Sequence, residues 1–244
     1  MIQKINSSQF LGHGPIKILY PGSAVSSTDT GIGSIGRIDH PEINSNTVIK
    51  MHPHINDEIL SYFRTGEAEH SDSEGFVKVI GRKTLMLMKA GKSFFHEEKI
   101  MGQQETMEGL QIFIRPGKKD LEPEVVFLEL DNIHSENSWR LIGSPNPETK
   151  FQFSSQTWIY DMKLLSGNTS EIPELPKKNL TALLYVFQGS VQVNASIDLK
   201  KKECIIFKDE TISIQASEDA ELVLFFTNEE GEIFKDGMYS GNQM

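Results

Sequence analysis

Cysteine is almost absent from this sequence. Its 244 residues contain one, Cys204, inside the apolar run Cys204–Phe207. A lone cysteine excludes an internal disulfide and a cysteine-based zinc site. Its apolar neighbours favour a buried structural thiol over a nucleophile. Because chains without disulfides are typical of reducing compartments, we expect a cytoplasmic protein.

Long apolar runs and an excess of basic charge are also missing. No segment approaches the roughly 18 apolar residues that a membrane span requires. The opening residues MIQKINSSQFLGHG lack the basic start and apolar run of a signal peptide. Asp and Glu number 34 against 24 Lys and Arg, a formal net charge of −10, and an acidic surface opposes non-specific nucleic-acid binding. We therefore expect neither a membrane nor a nucleic-acid partner.

No long segment shows a helical apolar period. Short apolar or alternating runs are instead broken by Gly, Pro, Asn and Asp, which is typical of an all-β sandwich or barrel. Two runs are alike, since Ile59–Phe63 precedes Gly66 and Leu183–Phe187 precedes Gly189. One copy in each half indicates a duplicated β unit. We predict an N-terminal domain at 1–138 and a C-terminal domain at 139–244, joined near the connector Ser144–Pro147.

Histidine is missing from most of the second half. Six of the seven histidines precede residue 100, the seventh is His134, and none follows it. Histidine chemistry is therefore expected in the N-terminal domain, and we predict that the C-terminal domain binds no metal.

Two short motifs carry the candidate chemistry, His52-Pro53-His54 and His96-Glu97-Glu98. On an extended strand residues i and i+2 share a face, so each motif projects two potential ligands together. On facing strands they would supply three imidazoles and one carboxylate, a set that suits Fe(II), Mn, Ni, Cu or Zn. Four protein ligands leave about two octahedral positions open, as a catalytic site needs. The alternative is that the first two histidines simply flank a proline on an exposed strand.

The segment from His52 to Gly75, HPHINDEILSYFRTGEAEHSDSEG, resembles the pirin family of the cupin superfamily. The family pattern has HPH, a glutamate four residues on (here Glu58), a glycine turn (Gly66) and H-x-D-S-x-G (His70–Gly75). A further family motif, Ala-Gly before H-x-E, is matched by Ala90-Gly91 and His96–Glu98. The resemblance is specific over residues 45–116 and looser elsewhere.

The resemblance implies a fold and a ligand set. Pirins have two cupin barrels of the jelly-roll type in tandem, and only the first holds metal, usually iron. One divalent ion, Fe(II) before Mn, Ni, Cu or Zn, is therefore expected on His52, His54, His96 and Glu98. Glu58 matches a position that is a ligand in many other cupins, and we interpret it as a residue that orients a ligand imidazole. Glu98 or Glu58 is the candidate acceptor of a substrate proton.

Other residues near the motifs have two interpretations. His70, with Asp72 and Ser73, is interpreted as a hydrogen-bonded turn residue, although it could bond near the site. A second set of side chains either lines the pocket or fills the barrel core: Phe94, Phe95, Met86 and Met88. Departures from the family at Ile55-Asn56 and at Ser93 reshape the pocket mouth without removing a ligand.

Three functions follow from the resemblance, which is greatest to bacterial pirin-like quercetin dioxygenases. Some pirins open flavonols such as quercetin, which implies a mononuclear-metal dioxygenase with a small enol substrate and O2. Other pirins act through protein partners, which implies a regulatory module whose metal tunes that interaction. The third is a cupin whose metal site is vestigial. An intact ligand set favours the enzyme, because such a set is easily lost without use.

Overall fold

The computed structural model describes residues 1–20, 31–102, 106–174 and 177–242. Within these ranges the chain forms strands, one 3-10 turn at Ser7–Gln9 and no α-helix. The first twelve strands are β1 (Ile2–Ile5), β2 (Leu11–His13), β3 (Ile16–Tyr20), β4 (Ile35–Asn44), β5 (Val48–His54), β6 (Glu58–Thr65), β7 (Ala68–Asp72), β8 (Val77–Ile80), β9 (Thr84–Lys89), β10 (Phe94–Ile100), β11 (Thr106–Ile114) and β12 (Glu124–Glu129).

Ten further strands follow: β13 (Arg140–Ser144), β14 (Phe151–Gln152), β15 (Thr157–Leu164), β16 (Thr169–Glu171), β17 (Thr181–Gln188), β18 (Ser190–Val193), β19 (Ile197–Lys200), β20 (Cys204–Lys208), β21 (Ser213–Ala216) and β22 (Ala220–Thr227). The described part of the chain contains no helix with the length and hydrophobicity to cross a bilayer.

The chain divides into two compact units that exchange segments. The N-terminal barrel comprises residues 10–133, 153–155 and 231–244, and the C-terminal barrel comprises residues 1–9, 134–152 and 156–230. Strand β1 therefore belongs to the C-terminal barrel, and the segment from residue 231 onward belongs to the N-terminal one. The expected connector Ser144–Pro147 lies inside the C-terminal barrel, directly after β13. The predicted domain boundary between residues 138 and 139 stays a prediction.

The N-terminal barrel consists of two antiparallel sheets. One has the strand order β12-β9-β6-β11-β4-β3-β2 and the other β5-β10-β7-β8. Strand β6, EILSYFRT, is buried at every position except Thr65, because it lies inside its sheet rather than at an edge. The core cluster includes Met86, Met88 and Phe94, so these three are core residues. Phe95, next in the strand, points to the opposite face and is 44% exposed.

The C-terminal barrel repeats this arrangement. A seven-stranded sheet has the order β1-β20-β17-β22-β15-β13-β14, and a four-stranded sheet has the order β16-β21-β18-β19. Strand β17 corresponds to β6, and each is followed by a glycine with positive φ, Gly66 at +68° and Gly189 at +79°. A Cβ at either position would meet backbone at 2.8 Å or less, so these turns require glycine. The prediction of an all-β fold with two barrels of one type is confirmed.

Candidate metal centre

Three neighbouring strands of the N-terminal barrel carry the candidate ligands. Strand β10 lies between β5 and β7. In its ladders His96 is opposite both His52 and Asp72, and Glu98 is opposite His70. Directly opposed residues of antiparallel strands project to the same side of a sheet. One face of this sheet therefore presents imidazoles and carboxylates from three strands at once.

A β-bulge adjusts the position of His52. The register of β5 against β10 shifts between the pair His96–His52 and the pair Glu98–Ile49. Lys50 lies within this irregularity, and its carbonyl oxygen is 2.9 Å from His52 Nδ1. Because a carbonyl can only accept, His52 Nδ1 donates and Nε2 of the neutral ring keeps its lone pair. The bulge thus supplies the acceptor that fixes the tautomer of this histidine.

The Nε2 atoms of three histidines converge. His96 Nε2 lies 2.9 Å from His54 Nε2 and 3.0 Å from His52 Nε2. Metal–nitrogen bonds of ~2.1 Å place adjacent ligands about 3.0 Å apart in an octahedron and about 3.4 Å apart in a tetrahedron. The two measured spacings match adjacent octahedral positions, which is the geometry that leaves further positions for exogenous ligands.

Burial keeps the imidazoles of His52 and His96 neutral. His54 and His96 are buried, and His52 is half-buried. Burial, together with the neighbouring His54, His52 and His70, lowers the pKa of His96 to about 2. Burial also lowers the pKa of His52. Neutral rings offer lone pairs, so these two histidines are available as ligands for a cation.

Glu98 is close to the centre but outside the group of three histidines. Its carboxylate groups with His70 and His96, whereas His52, His54 and His96 form a separate group. Burial raises the pKa of Glu98 to about 7. Its Oε1 has no hydrogen-bond partner among the described residues, and neither has His54 Nδ1. Buried polar atoms are normally paired or bound to metal, so the orphaned Oε1 of Glu98 fits a site that takes a cation.

Comparison with known proteins relates the segment that carries the centre to one family. The family model named Pirin matches residues 26–114, a segment that contains every histidine of the centre and Glu98. The curated relative "Quercetin 2,3-dioxygenase" of Escherichia coli K12 is 24% identical over 228 residues, which cover 92% of this chain and 96% of the relative. The chain is thus similar to the pirin family over residues 26–114, and to this relative over nearly its whole length.

Solved structures agree with the pirin fold. YhhW from Escherichia coli has a TM-score of 0.80 at 22% identity, with coverage of 93% of this chain and 98% of that chain. A second structure, described as bacterial pirin YhhW in complex with nickel(II), has a TM-score of 0.78 at 22% identity and covers 93% and 99% of the two chains. At this level of identity the likeness establishes the fold alone, two cupin barrels in one chain.

Glu58, the other glutamate named from the pirin pattern, is placed differently. Both of its oxygens lie 3.1 Å from the backbone nitrogen of Ser154. Burial raises its pKa to about 7, against hydrogen bonds from Ser154 that lower it. It belongs to none of the potential metal-binding groups among the described residues. Its carboxylate is thus bonded to the 153–155 segment of the barrel instead of to a ligand imidazole.

His70 is more closely connected to the centre than a turn residue would be. It lies within β7, fully buried, with Nε2 2.7 Å from Asp72 Oδ2 and Nδ1 3.3 Å from His96 Nδ1. The turn interpretation is therefore wrong for His70. The signal that could have found it is the spacing rule used for the other two motifs, because His70 and Asp72 are also two residues apart on a strand.

Sequence reasoning missed the contribution of the segment from residue 231 onward. The ring of Tyr239 packs 4.9 Å from that of His54 and 5.4 Å from that of Phe113, centroid to centroid. The backbone nitrogens of Tyr239 and Ser240 donate to Asp57, whose Oδ2 lies 3.8 Å from His54 Nδ1. No local pattern signals such a contact, since more than 180 residues separate its partners in sequence.

Proposed function

We propose that this chain is a mononuclear-metal dioxygenase that acts on a small flavonol-like or related enol substrate, with Fe(II) as its ion. The observation that carries the proposal is the convergence of the Nε2 atoms of His52, His54 and His96 at octahedral spacing. The relative named quercetin 2,3-dioxygenase, which aligns over nearly the whole chain, supports the choice of reaction.

The donor set fits a divalent ion. His52, His54 and His96 would hold it through Nε2, and Glu98 is the proposed fourth ligand, because its Oε1 is buried beside His96 and lacks a partner among the described residues. Imidazole and carboxylate together suit iron, manganese, nickel, copper and zinc. A bound divalent ion would supply a Lewis acid for the hydroxyl and carbonyl oxygens of an enol substrate, and redox chemistry with O2.

Glu98 is the residue we assign to proton handling. Burial raises the pKa of its carboxyl to about 7 without an ion, and a bound cation would lower this pKa and keep the carboxylate ionised. We propose that ionised Glu98 accepts the hydroxyl proton of the substrate. Glu58 has a similar pKa, but its bonds to Ser154 favour a structural role.

The test is oxygen uptake by protein reconstituted anaerobically with Fe(II) and then mixed with quercetin in aerated buffer. We expect uptake that requires both iron and the flavonol and is lost in His96→Ala. The matched control is His134→Ala, because His134 belongs to none of the potential metal-binding groups; it should retain uptake. Iron-loaded protein that consumes no oxygen with any flavonol would refute the enzymatic proposal.

A regulatory protein-binding role is the second candidate, and one observation favours it. Strand β8 is at the edge of its sheet and exposes Val77 at 71% and Val79 at 39%, next to Phe76 at 43%. Exposed apolar side chains on an edge strand are a typical place for a partner to add. A partner that is retained by the metal-loaded protein and lost in Val77→Asp would support this role; retention by that variant would count against it.

A further inference from the structure

Behind the three converging nitrogens lies a line of buried polar groups. Asp72 Oδ2 is 2.7 Å from His70 Nε2, and His70 Nδ1 is 3.3 Å from His96 Nδ1. The side chains of Asp72 and His70 are completely buried, and His96 is buried as well. At the far end of the line, His96 Nε2 faces His52 and His54. The line therefore connects a carboxylate to the innermost candidate ligand.

The hydrogen bonds of Asp72 set the direction of the protons along this line. Asp72 Oδ1 accepts from the backbone nitrogens of Glu74 and Phe76 at 2.9 and 3.1 Å, so Oδ2 is the oxygen left for His70. A carboxylate only accepts, so His70 Nε2 must carry the hydrogen. A neutral imidazole has one donor and one acceptor nitrogen, so His70 Nδ1 is the acceptor. Its partner His96 Nδ1 is then the donor.

We infer that Asp72 and His70 are positioning residues that hold His96 in the tautomer whose Nε2 lone pair faces the ion. The inference rests on the metal centre proposed above and concerns residues that do not themselves bind the ion. The opposite tautomer would direct an N–H at the site, and that ring could not be a ligand without first losing a proton.

Of the three histidines, His96 depends most on a hydrogen-bond partner that fixes its tautomer. It is central to the cluster, because its Nε2 contacts both other Nε2 atoms. It is also fully buried, so water cannot satisfy Nδ1 and select the tautomer. The carbonyl oxygen of Lys50 fixes the tautomer of His52 in the same way. The two histidines thus have their tautomers fixed by different groups, one on the backbone and one on side chains.

The substitution Asp72→Asn should reverse the donor and acceptor roles along this line of hydrogen bonds, with little change in the shape of the side chain at position 72. The asparagine oxygen should stay with the two backbone donors of Glu74 and Phe76, which places its NH2 group against His70 Nε2. That group donates, so His70 Nε2 becomes an acceptor, His70 Nδ1 a donor, and His96 carries its hydrogen on Nε2. We expect Ni(II) affinity, measured by isothermal titration calorimetry, to fall about 10–100-fold.

The matched control is Glu108→Gln. His40 Nε2 and Glu108 Oε1 form a histidine–carboxylate pair at 2.8 Å in the same barrel and belong, with Glu42, to a potential group separate from those that contain His96. This variant should bind Ni(II) as the wild type does.

A second pair of variants separates tautomer control from packing: His70→Gln keeps an acceptor for His96 Nδ1, and His70→Leu does not. We expect His70→Gln to retain more affinity than His70→Leu.

A readout without metal comes from long-range 1H–15N NMR spectra of the apo protein. We expect His96 to carry its hydrogen on Nδ1 in the wild type and on Nε2 in Asp72→Asn. Wild-type protein with the hydrogen on Nε2, or equal Ni(II) affinity in all the variants, would overturn the inference and leave the metal centre standing. Wild-type protein that binds no Ni(II), Fe(II) or other divalent ion would overturn the proposed centre and the inference with it.

Discussion

At the scale of single residues, burial shifts the pKa values of two groups on one strand in opposite directions. His96 and Glu98 lie two residues apart on β10, and burial lowers the pKa of His96 to about 2 while it raises that of Glu98 to about 7. The cause is shared, since a low-dielectric environment penalises whichever form is charged. A site assembled from neutral donors avoids a permanent buried charge, and the carboxyl can ionise when a cation arrives.

Glu58 gives a prediction about stability and pH. Its folded-state pKa, about 7 against a normal 4.5, is raised, so its contribution to stability is present below pH 4.5 and is lost as the pH rises through 7. We expect the wild type to lose roughly 3 kcal/mol relative to Glu58→Gln between pH 4.5 and 8. Urea unfolding of both apo proteins across this range measures the difference, and parallel stability curves would contradict the assignment.

The ligand histidines should not be equivalent. His96 Nε2 contacts both other Nε2 atoms and is buried, whereas His52 is half-buried at one side of the cluster. Loss of a residue that hydrogen-bonds to a metal ligand typically lowers metal affinity roughly 10–100-fold. We expect His96→Ala to lower Ni(II) affinity by more than this, and His52→Ala to lower it less than His96→Ala does. Calorimetric titration of both variants beside His134→Ala provides the measurement. A larger loss in His52→Ala would disagree with this geometry.

At the scale of elements, a segment distant in sequence completes the surroundings of His54. Met238 N donates to the carbonyl of Ile55 at 2.9 Å, and Arg115 Nε donates to that of Ser240 at 3.0 Å. These bonds hold Tyr239 against His54 and Phe113. The segment therefore orients a ligand ring that, unlike His52 and His96, has an unpaired Nδ1 among the described residues.

Removing the Tyr239 ring should loosen His54. We expect Tyr239→Ala to destabilise the protein by about 1–3 kcal/mol, since it loses an aromatic contact and buried apolar area, and to weaken Ni(II) binding several-fold. Tyr239→Phe keeps the ring and serves as the control, with little change in either quantity. Thermal unfolding and calorimetry measure the two effects. Equal behaviour of both variants would mean that the ring does not support His54.

The elements that sequence predicts are those with local patterns. If extended, His52–His54 and His96–Glu98 each place two potential ligands on one face, and both segments do lie in strands, β5 and β10. The bulge at Lys50 and the segment around Tyr239 could not be predicted, because one depends on strand register and the other on packing across the whole chain. The grouping of Glu98 with His70 also depends on the register of β10 against β7, which a single sequence does not specify.

At the scale of the whole molecule, the two barrels have the same arrangement of sheets but differ in their potential metal ligands. Each has a seven-stranded and a four-stranded sheet, and β6 and β17 end at equivalent glycine turns. Within the described residues every potential metal-binding group belongs to the N-terminal barrel. The two barrels thus have the same arrangement of sheets, and the described ligand set lies in the N-terminal one.

One ion per chain is the expected stoichiometry. The convergent histidines form one centre. A separate potential group, His40 with Glu42 and Glu108, has its imidazole Nε2 engaged with Glu108 at 2.8 Å, and the C-terminal barrel offers no group among its described residues. Metal analysis of Ni(II)-loaded protein after removal of loosely held ions should give a ratio of about one, and His96→Ala should give a ratio near zero. A ratio of two in the wild type, or one that survives in the variant, would place an ion elsewhere.

The exchange of segments between the barrels has a consequence for biosynthesis. Translation delivers the histidine motifs early, yet residues 231 onward, which bond to Ile55 and Asp57, leave the ribosome only after the entire second barrel. A nascent or proteolytically shortened chain that stops before residue 231 therefore contains all three convergent histidines and lacks the backbone partners beside His54. The surroundings of His54 are therefore complete only after residues 231 onward have been synthesised.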